Sequence, residues 1–210
     1  MSRIWNFISQ RRFVHTLLAA GTALALVPAG ASAATTWFGS SLNHDPANAG
    51  SSCADNGATG SPVCTHVGSY YPGTSGHARS TVTGTIVAIR VRAEGPATMR
   101  FKVVRVRNVS GDHTSGQAKA VAVSRLITVQ GPSQDDLDNG VYPIETFRVH
   151  LHVQRGQEIA VDTTNNTAEY CVDGTPGQLL FDPVLALGQP FRSSASVDGC
   201  LMLVQAVVRH

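Results

Sequence analysis

Glu145-Thr146-Phe147-Arg148-Val149-His150-Leu151-His152-Val153 is the stretch that decides the fold class. Phe147, Val149, Leu151 and Val153 recur with a period of two, and Thr146, Arg148, His150 and His152 take the positions between them. Successive side chains of a strand point to opposite faces, so the run predicts one face on an apolar core and one toward water. Arg155-Gly156-Gln157 then reads as a turn. Ile159 and Val161 continue the inward face beyond it, which predicts a β-hairpin.

Outward from this strand the same pattern repeats. Short β-branched runs at 35–39, 63–70, 81–93, 98–108, 119–130, 144–154, 158–163, 169–172, 179–181 and 201–209 alternate with clusters of Gly, Pro, Asn and Asp. No segment after residue 33 sustains a helical period, so the expected class is all-β, an antiparallel sandwich or barrel. A second hairpin is expected through Glu94-Gly95-Pro96. It has Val87, Ile89, Val91, Phe101 and Val103 inward and Arg90, Arg92, Arg100 and Lys102 outward. The apolar phase slips after Val103, where Val104 and Val106 take over, and this predicts a β-bulge near Val103-Val104. Residues 42–61 are polar and turn-rich and read as a long loop.

The amino terminus reads as an export signal. Arg3, Arg11 and Arg12 precede an apolar run at 13–27, Pro28 breaks it, and Ala31-Ser32-Ala33 is a small-residue cleavage site. The run is shorter than the roughly 20 apolar residues that span a bilayer, and no second such stretch follows. The expected organisation is therefore a cleavable signal at 1–33 and one domain at 34–210, secreted and without a transmembrane anchor. General secretion fits the flanks of Arg11-Arg12 better than twin-arginine export. The chain has 16 Lys+Arg and 14 Asp+Glu, but three of the arginines and none of the acids lie in the leader, so the mature charge is −1. That removes the electrostatic case for nucleic-acid binding. Cys53, Cys64, Cys171 and Cys200 all follow the cleavage point, and an even count in an exported chain predicts two disulfides. Three connectivities exist; Cys53–Cys64 and Cys171–Cys200 are the favoured pairs.

Chemistry-bearing residues are few. Nine basic residues between Arg79 and Arg125 face only two acids, Glu94 and Asp112. In the expected hairpin Arg92 lies beside Arg100 and Arg90 beside Lys102, an unfavourable placement that solvent, other acids or an anionic ligand must relieve. Arginine forks suit carboxylate or phosphate on a polymer; a solvated, aggregation-resistant sheet face is the plainer reading. Tyr70-Tyr71 offers a stacking edge for a saccharide. His150 and His152 project together from one strand and so form a candidate metal pair, with Glu158 as a possible third group and His44, His66, His77 and His113 as loop candidates. Asp135, Asp136 and Asp138 form an acidic turn that gives calcium a weak foothold. No G-x-S-x-G, H-E-x-x-H or P-loop is present, and Gly73-Thr74-Ser75-Gly76-His77 lacks the strand-to-helix setting of a nucleophile elbow.

Thr36-Trp37-Phe38-Gly39-Ser40-Ser41-Leu42, the Cys53…Cys64-Thr65 pair, Gly84-Thr85-Ile86-Val87-Ala88-Ile89-Arg90-Val91-Arg92 and Val153-Gln154-Arg155-Gly156-Gln157-Glu158-Ile159-Ala160-Val161-Asp162 together carry a resemblance. The chain resembles a group of secreted bacterial β-sandwich (jelly-roll-like) proteins of unassigned activity. The resemblance implies export and a disulfide-stapled jelly-roll-like sandwich, and it brings no catalytic residue. Gln157 departs from it, since Asp is usual in that turn. The expected function is a non-catalytic extracellular module that binds an anionic or saccharide polymer at Arg90, Arg92, Arg100, Lys102, Tyr70 and Tyr71. The alternative is a small secreted hydrolase or metal enzyme built on His150 and His152.

Overall fold

The computed structural model describes residues 33–47, 63–164, 167–171 and 177–210. The expected leader, the Cys53 half of one bridge and most of the long loop lie outside the described residues.

The strands are β1 (Thr35–Ser40), β2 (Cys64–Gly68), β3 (Gly76–His77), β4 (Gly84–Arg92), β5 (Ala97–Arg107), β6 (Gln117–Val129), β7 (Ile144–Val153), β8 (Glu158–Thr163), β9 (Glu169–Cys171), β10 (Gln178–Phe181), β11 (Arg192–Ser193), β12 (Ser196–Asp198), β13 (Cys200–Met202) and β14 (Val204–Arg209). They form a five-stranded sheet in the order β3-β1-β14-β4-β7, a seven-stranded sheet in the order β11-β6-β5-β8-β2-β10-β12, and a β9-β13 pair. Among the described residues every pairing of two of these strands is antiparallel. The all-β reading therefore holds. Among the described residues one helix, α1 (Gln134–Asp138), interrupts it.

Burial follows from alternation. Ile86, Ile89, Leu151, Val153, Val204 and Val208 from the first sheet share one apolar cluster with Met99, Phe101, Ile127, Ile159 and Val161 from the second. A smaller cluster on the other face of the seven-stranded sheet gathers Val67, Val104, Ala120, Leu179, Phe181 and Leu185. This second cluster explains the phase slip: Val103 and Val104 are both fully buried, each in its own cluster, and the register shifts between them as expected of a bulge. At roughly 1.5–3 kcal/mol per buried aliphatic or aromatic side chain, these clusters are the main force holding the sheets together.

Neither predicted hairpin forms. β7 pairs with β4, whereas β8 lies between β5 and β2 in the other sheet. The turn is where it was expected, with Gln157 N–H donating to Gln154 O and Gly156 at φ 83°, but it passes the chain between sheets. The reason is burial. All six residues of β8 are buried, so it belongs at a sheet centre, while β7 exposes its polar face along a sheet edge. Likewise β4 pairs with β14 and β7, and β5 with β6 and β8. Arg92 then faces Ile144, Arg90 faces Gln205 and Thr146, and Arg100 faces Asp162 and Leu126. The expected row of opposed arginines does not exist; the chain relieves that repulsion by placing the two strands in different sheets.

The acidic turn is a helical turn with a capping box. Ser133 Oγ accepts from Asp136 N–H, and Asp136 Oδ2 accepts from Ser133 N–H, which satisfies two terminal donors. Cys171 and Cys200 are bridged as expected, across the β9-β13 pair. Among the described residues no helix is long and apolar enough to cross a membrane.

Candidate functional site

Most of the basic residues in the sequence cluster are committed to partners. Arg79 Nε donates to Glu158 Oε1 at 3.0 Å, Arg90 Nη1 to Gln205 Oε1 at 2.8 Å, and Arg92 Nη1 to Asp45 Oδ1 at 2.6 Å. Arg105 donates to Gln154, Arg107 to Gln117, and both Arg107 and Lys119 lie over the Phe191 ring. Lys102 is not outward as expected. It is 3% exposed, with Nζ 2.6 Å from Asp162 Oδ2 and donating to Leu185 O. Burial lowers its pKa, the bond and charge of Asp162 partly restore it, and the nearby Arg100 charge lowers it further. Of the nine, Arg100, Lys119 and Arg125 have no hydrogen bond or ion pair to a described residue, and of these Lys119 has the Phe191 ring as its partner.

Two β-bulges determine where Arg125 points. Arg100 pairs with Leu126 and Lys102 with Val123, so Phe101 alone stands against Ser124 and Arg125. Phe101 N–H donates to Ser124 Oγ at 2.9 Å, and that hydroxyl donates to Arg125 O at 2.6 Å, which pins the bulge. In the other sheet Ile86 pairs with Leu151 and Ala88 with Arg148, so Val87 stands against Val149 and His150. Bulges re-aim side chains and bend strands. Here both bulges line one open cleft of about 360 Å³, formed by Val123, Ser124, Arg125, Arg148, Val149, His150 and Leu151. Arg125, Arg148 and His150 are exposed, and none bonds to another described residue. Among the described residues the cleft lining holds no acid. The carboxylate nearest in sequence, Glu145, is occupied elsewhere, accepting from Gln130 and Gly131 N–H. Three basic groups and an apolar floor can hold an anion with an apolar or sugar body.

Arg100 lines a separate groove of about 470 Å³ with Thr98, Leu126, Asp162, Pro183 and Val184 among its walls. Leu126 is 57% exposed there. Since Lys102 takes the Asp162 carboxylate, Arg100 is an unneutralised cation in a partly apolar groove.

The remaining candidates separate. Tyr71 is buried and its hydroxyl donates to Met202 O at 3.1 Å, so it offers no stacking edge, while Tyr70 stacks on His113 at 4.4 Å. His150, His152 and Glu158 do not converge: among the described residues they form no shared ligand group, and Glu158 lies buried in the other sheet under Arg79. Asp136 is occupied by the helix cap and Asp138 accepts from Gln134, while Asp135 sits in the first helical turn. His44 stacks on Tyr170, and the His77 ring lies tilted against Trp37. His66 is a strand residue, not a loop one, and it is fully buried.

Sequence reasoning missed the convergence of Arg125 with Arg148 and His150. The pairing of Arg148 with His150 on one face was legible from the period of two. The bulges were not: Val121, Val123, Ile127 and Val129 keep one parity through the first, and Phe147, Val149, Leu151 and Val153 keep it through the second. Comparison with protein-family models, curated proteins and solved structures gives no match.

Proposed function

We propose that this chain is an exported, non-catalytic β-sandwich module that binds an anionic extracellular polymer in the cleft of Arg125, Arg148 and His150. The observation that carries the reading is the convergence of three unpaired basic side chains from two sheets on one acid-free cleft. Export rests on the leader pattern at 1–33 and accords with the Cys171–Cys200 bridge, because disulfides persist in oxidising compartments. The jelly-roll-like sandwich and the kinship with secreted bacterial β-sandwich proteins are part of the same proposal, supported by the apolar cluster that both large sheets share.

The test is binding of dextran sulfate and neutral dextran at low and high salt. The proposal expects binding to the sulfated polymer alone, weakened by salt because each released counterion contributes to the gain. Arg125→Ala/Arg148→Ala/His150→Ala should weaken it about tenfold or more, at roughly 0.5–1 kcal/mol per exposed contact. Equal binding of neutral dextran, or unchanged affinity in the triple variant, would overturn it.

A second reading has its own support. β7 is the edge of its sheet, and charges on an edge strand prevent edge-to-edge pairing. On that reading the triple variant aggregates, and the wild type shows no binding to either polymer.

A further inference from the structure

A second polar cluster is sealed inside the molecule. His66 on β2, Glu169 on β9 and Asp198 on β12 are all buried and each presents one ligand-type atom, these atoms lying within 4.8 Å of one another. His66 Nδ1 is 3.5 Å from Glu169 Oε1 and 3.2 Å from Gln178 Oε1. Gln178, itself fully buried, donates through Nε2 to Glu169 Oε1 and to Cys200 O. Asp198 Oδ1 accepts from Cys200 N–H. The other carboxylate oxygen of Glu169, Oε2, is buried with no hydrogen-bond partner among the described residues. His66 and Glu169 also line a small cavity of about 10 Å³, walled otherwise by Met99, Val161, Thr163, Ala168, Met202 and Val204. That is room for about one small sphere, a water or an ion.

We infer that His66, Glu169 and Asp198 form a structural metal site, with Gln178 as the neutral fourth oxygen, and that zinc is the ion it suits. Charge is the first argument. Two carboxylates buried side by side repel and lose their hydration, a cost of several kcal/mol per ion, and a dication bound by a neutral imidazole cancels both. Spacing is the second. Metal–ligand bonds of about 2.0–2.2 Å in a tetrahedron put ligand atoms roughly 3.3–3.6 Å apart, close to the His66–Glu169 and His66–Gln178 separations of 3.5 and 3.2 Å. Donor type is the third. The sulfurs of Cys171 and Cys200 are joined to each other and Cys64 is also disulfide-bonded, so no thiolate is on offer. One imidazole with carboxylates favours zinc over calcium, which takes six to eight oxygens. The site would tie together four short strands, β2, β9, β10 and β12.

The test uses the full chain unfolded, stripped of metal and refolded with or without Zn²⁺. The expected result is one zinc per chain, resistant to chelator until the protein unfolds. The melting temperature should rise by about 5–10 °C over the metal-free refold, the shift expected near a hundredfold excess over Kd. X-ray absorption at the zinc edge should show nitrogen and oxygen at about 2.0–2.1 Å and no sulfur shell near about 2.3 Å. Glu169→Gln/Asp198→Asn should retain no zinc. If that variant does not fold, the wild-type absorption spectrum decides: a sulfur shell, or several imidazoles, overturns the inference. Failure to retain zinc, with an unchanged melting temperature, overturns it as well. Because the readouts are metal content and stability, the result is independent of whether the Arg125 cleft binds a polymer.

Discussion

Glu158→Gln should remove a pH dependence that the wild type carries. Glu158 opens β8 with 1% of its side chain exposed. One carboxylate oxygen meets Arg79 Nε at 3.0 Å, and the other is buried without a partner among the described residues. Burial is the dominant influence and pushes its pKa from 4.5 to about 7 against the opposing pull of Arg79. The buried Tyr71 phenol is coupled to it, and its own pKa is raised, first by burial and then by the Glu158 charge. A folded pKa above the unfolded one means that the native state binds the proton more tightly. The associated stability is fully present below about pH 4.5 and is lost as pH rises through about 7. At about 1.4 kcal/mol per pH unit, the loss is about 3 kcal/mol. The assay is urea unfolding at several values between about pH 4.5 and about pH 8.5, taken as the difference between wild type and Glu158→Gln. The difference cancels Glu169 and every other shared group. Wild type should lose about 3 kcal/mol relative to the variant across that window. A difference that stays flat, or that grows in favour of the wild type at high pH, would refute the reasoning.

Lys102→Met should cost about 3–5 kcal/mol, because it strands Asp162 in a buried setting. Lys102→Met/Asp162→Leu should recover most of that loss in the same unfolding assay, since a buried pair replaced by apolar groups is often neutral. Replacing Cys171 and Cys200 by Ser opens a loop with a sequence separation of 29. On loop entropy alone it should lower stability by about 3–4 kcal/mol in denaturant unfolding.

The sequence exposed what depends on local pattern and hid what depends on which strands meet. The period of two in β7 and the phase slip at Val103-Val104 gave the strands and a bulge correctly, because burial of one face leaves a mark on every second residue. Partner choice leaves no such mark. The turns at Gly95 and Gly156 look alike whether a chain folds back beside itself or crosses to the opposite sheet. Lys102 was placed outward by alternation, yet the second apolar cluster covers that face and forces the ammonium onto Asp162. The same blindness applied to the cleft. Arg125 and Arg148 lie on strands of different sheets, and two bulges that leave residue parity intact bring them together. His66, Glu169 and Asp198 were beyond reach for a related reason: each sits on a strand of five residues or fewer.

Amide chemical-shift mapping of the labelled protein during titration with a short sulfated oligosaccharide tests the binding claim most directly. Shifts should concentrate at Val123–Arg125 and Arg148–Leu151 and fade as salt is raised, since they line the acid-free cleft. Shifts confined to the Arg100 groove or scattered over the surface, or none at low salt, would contradict the account.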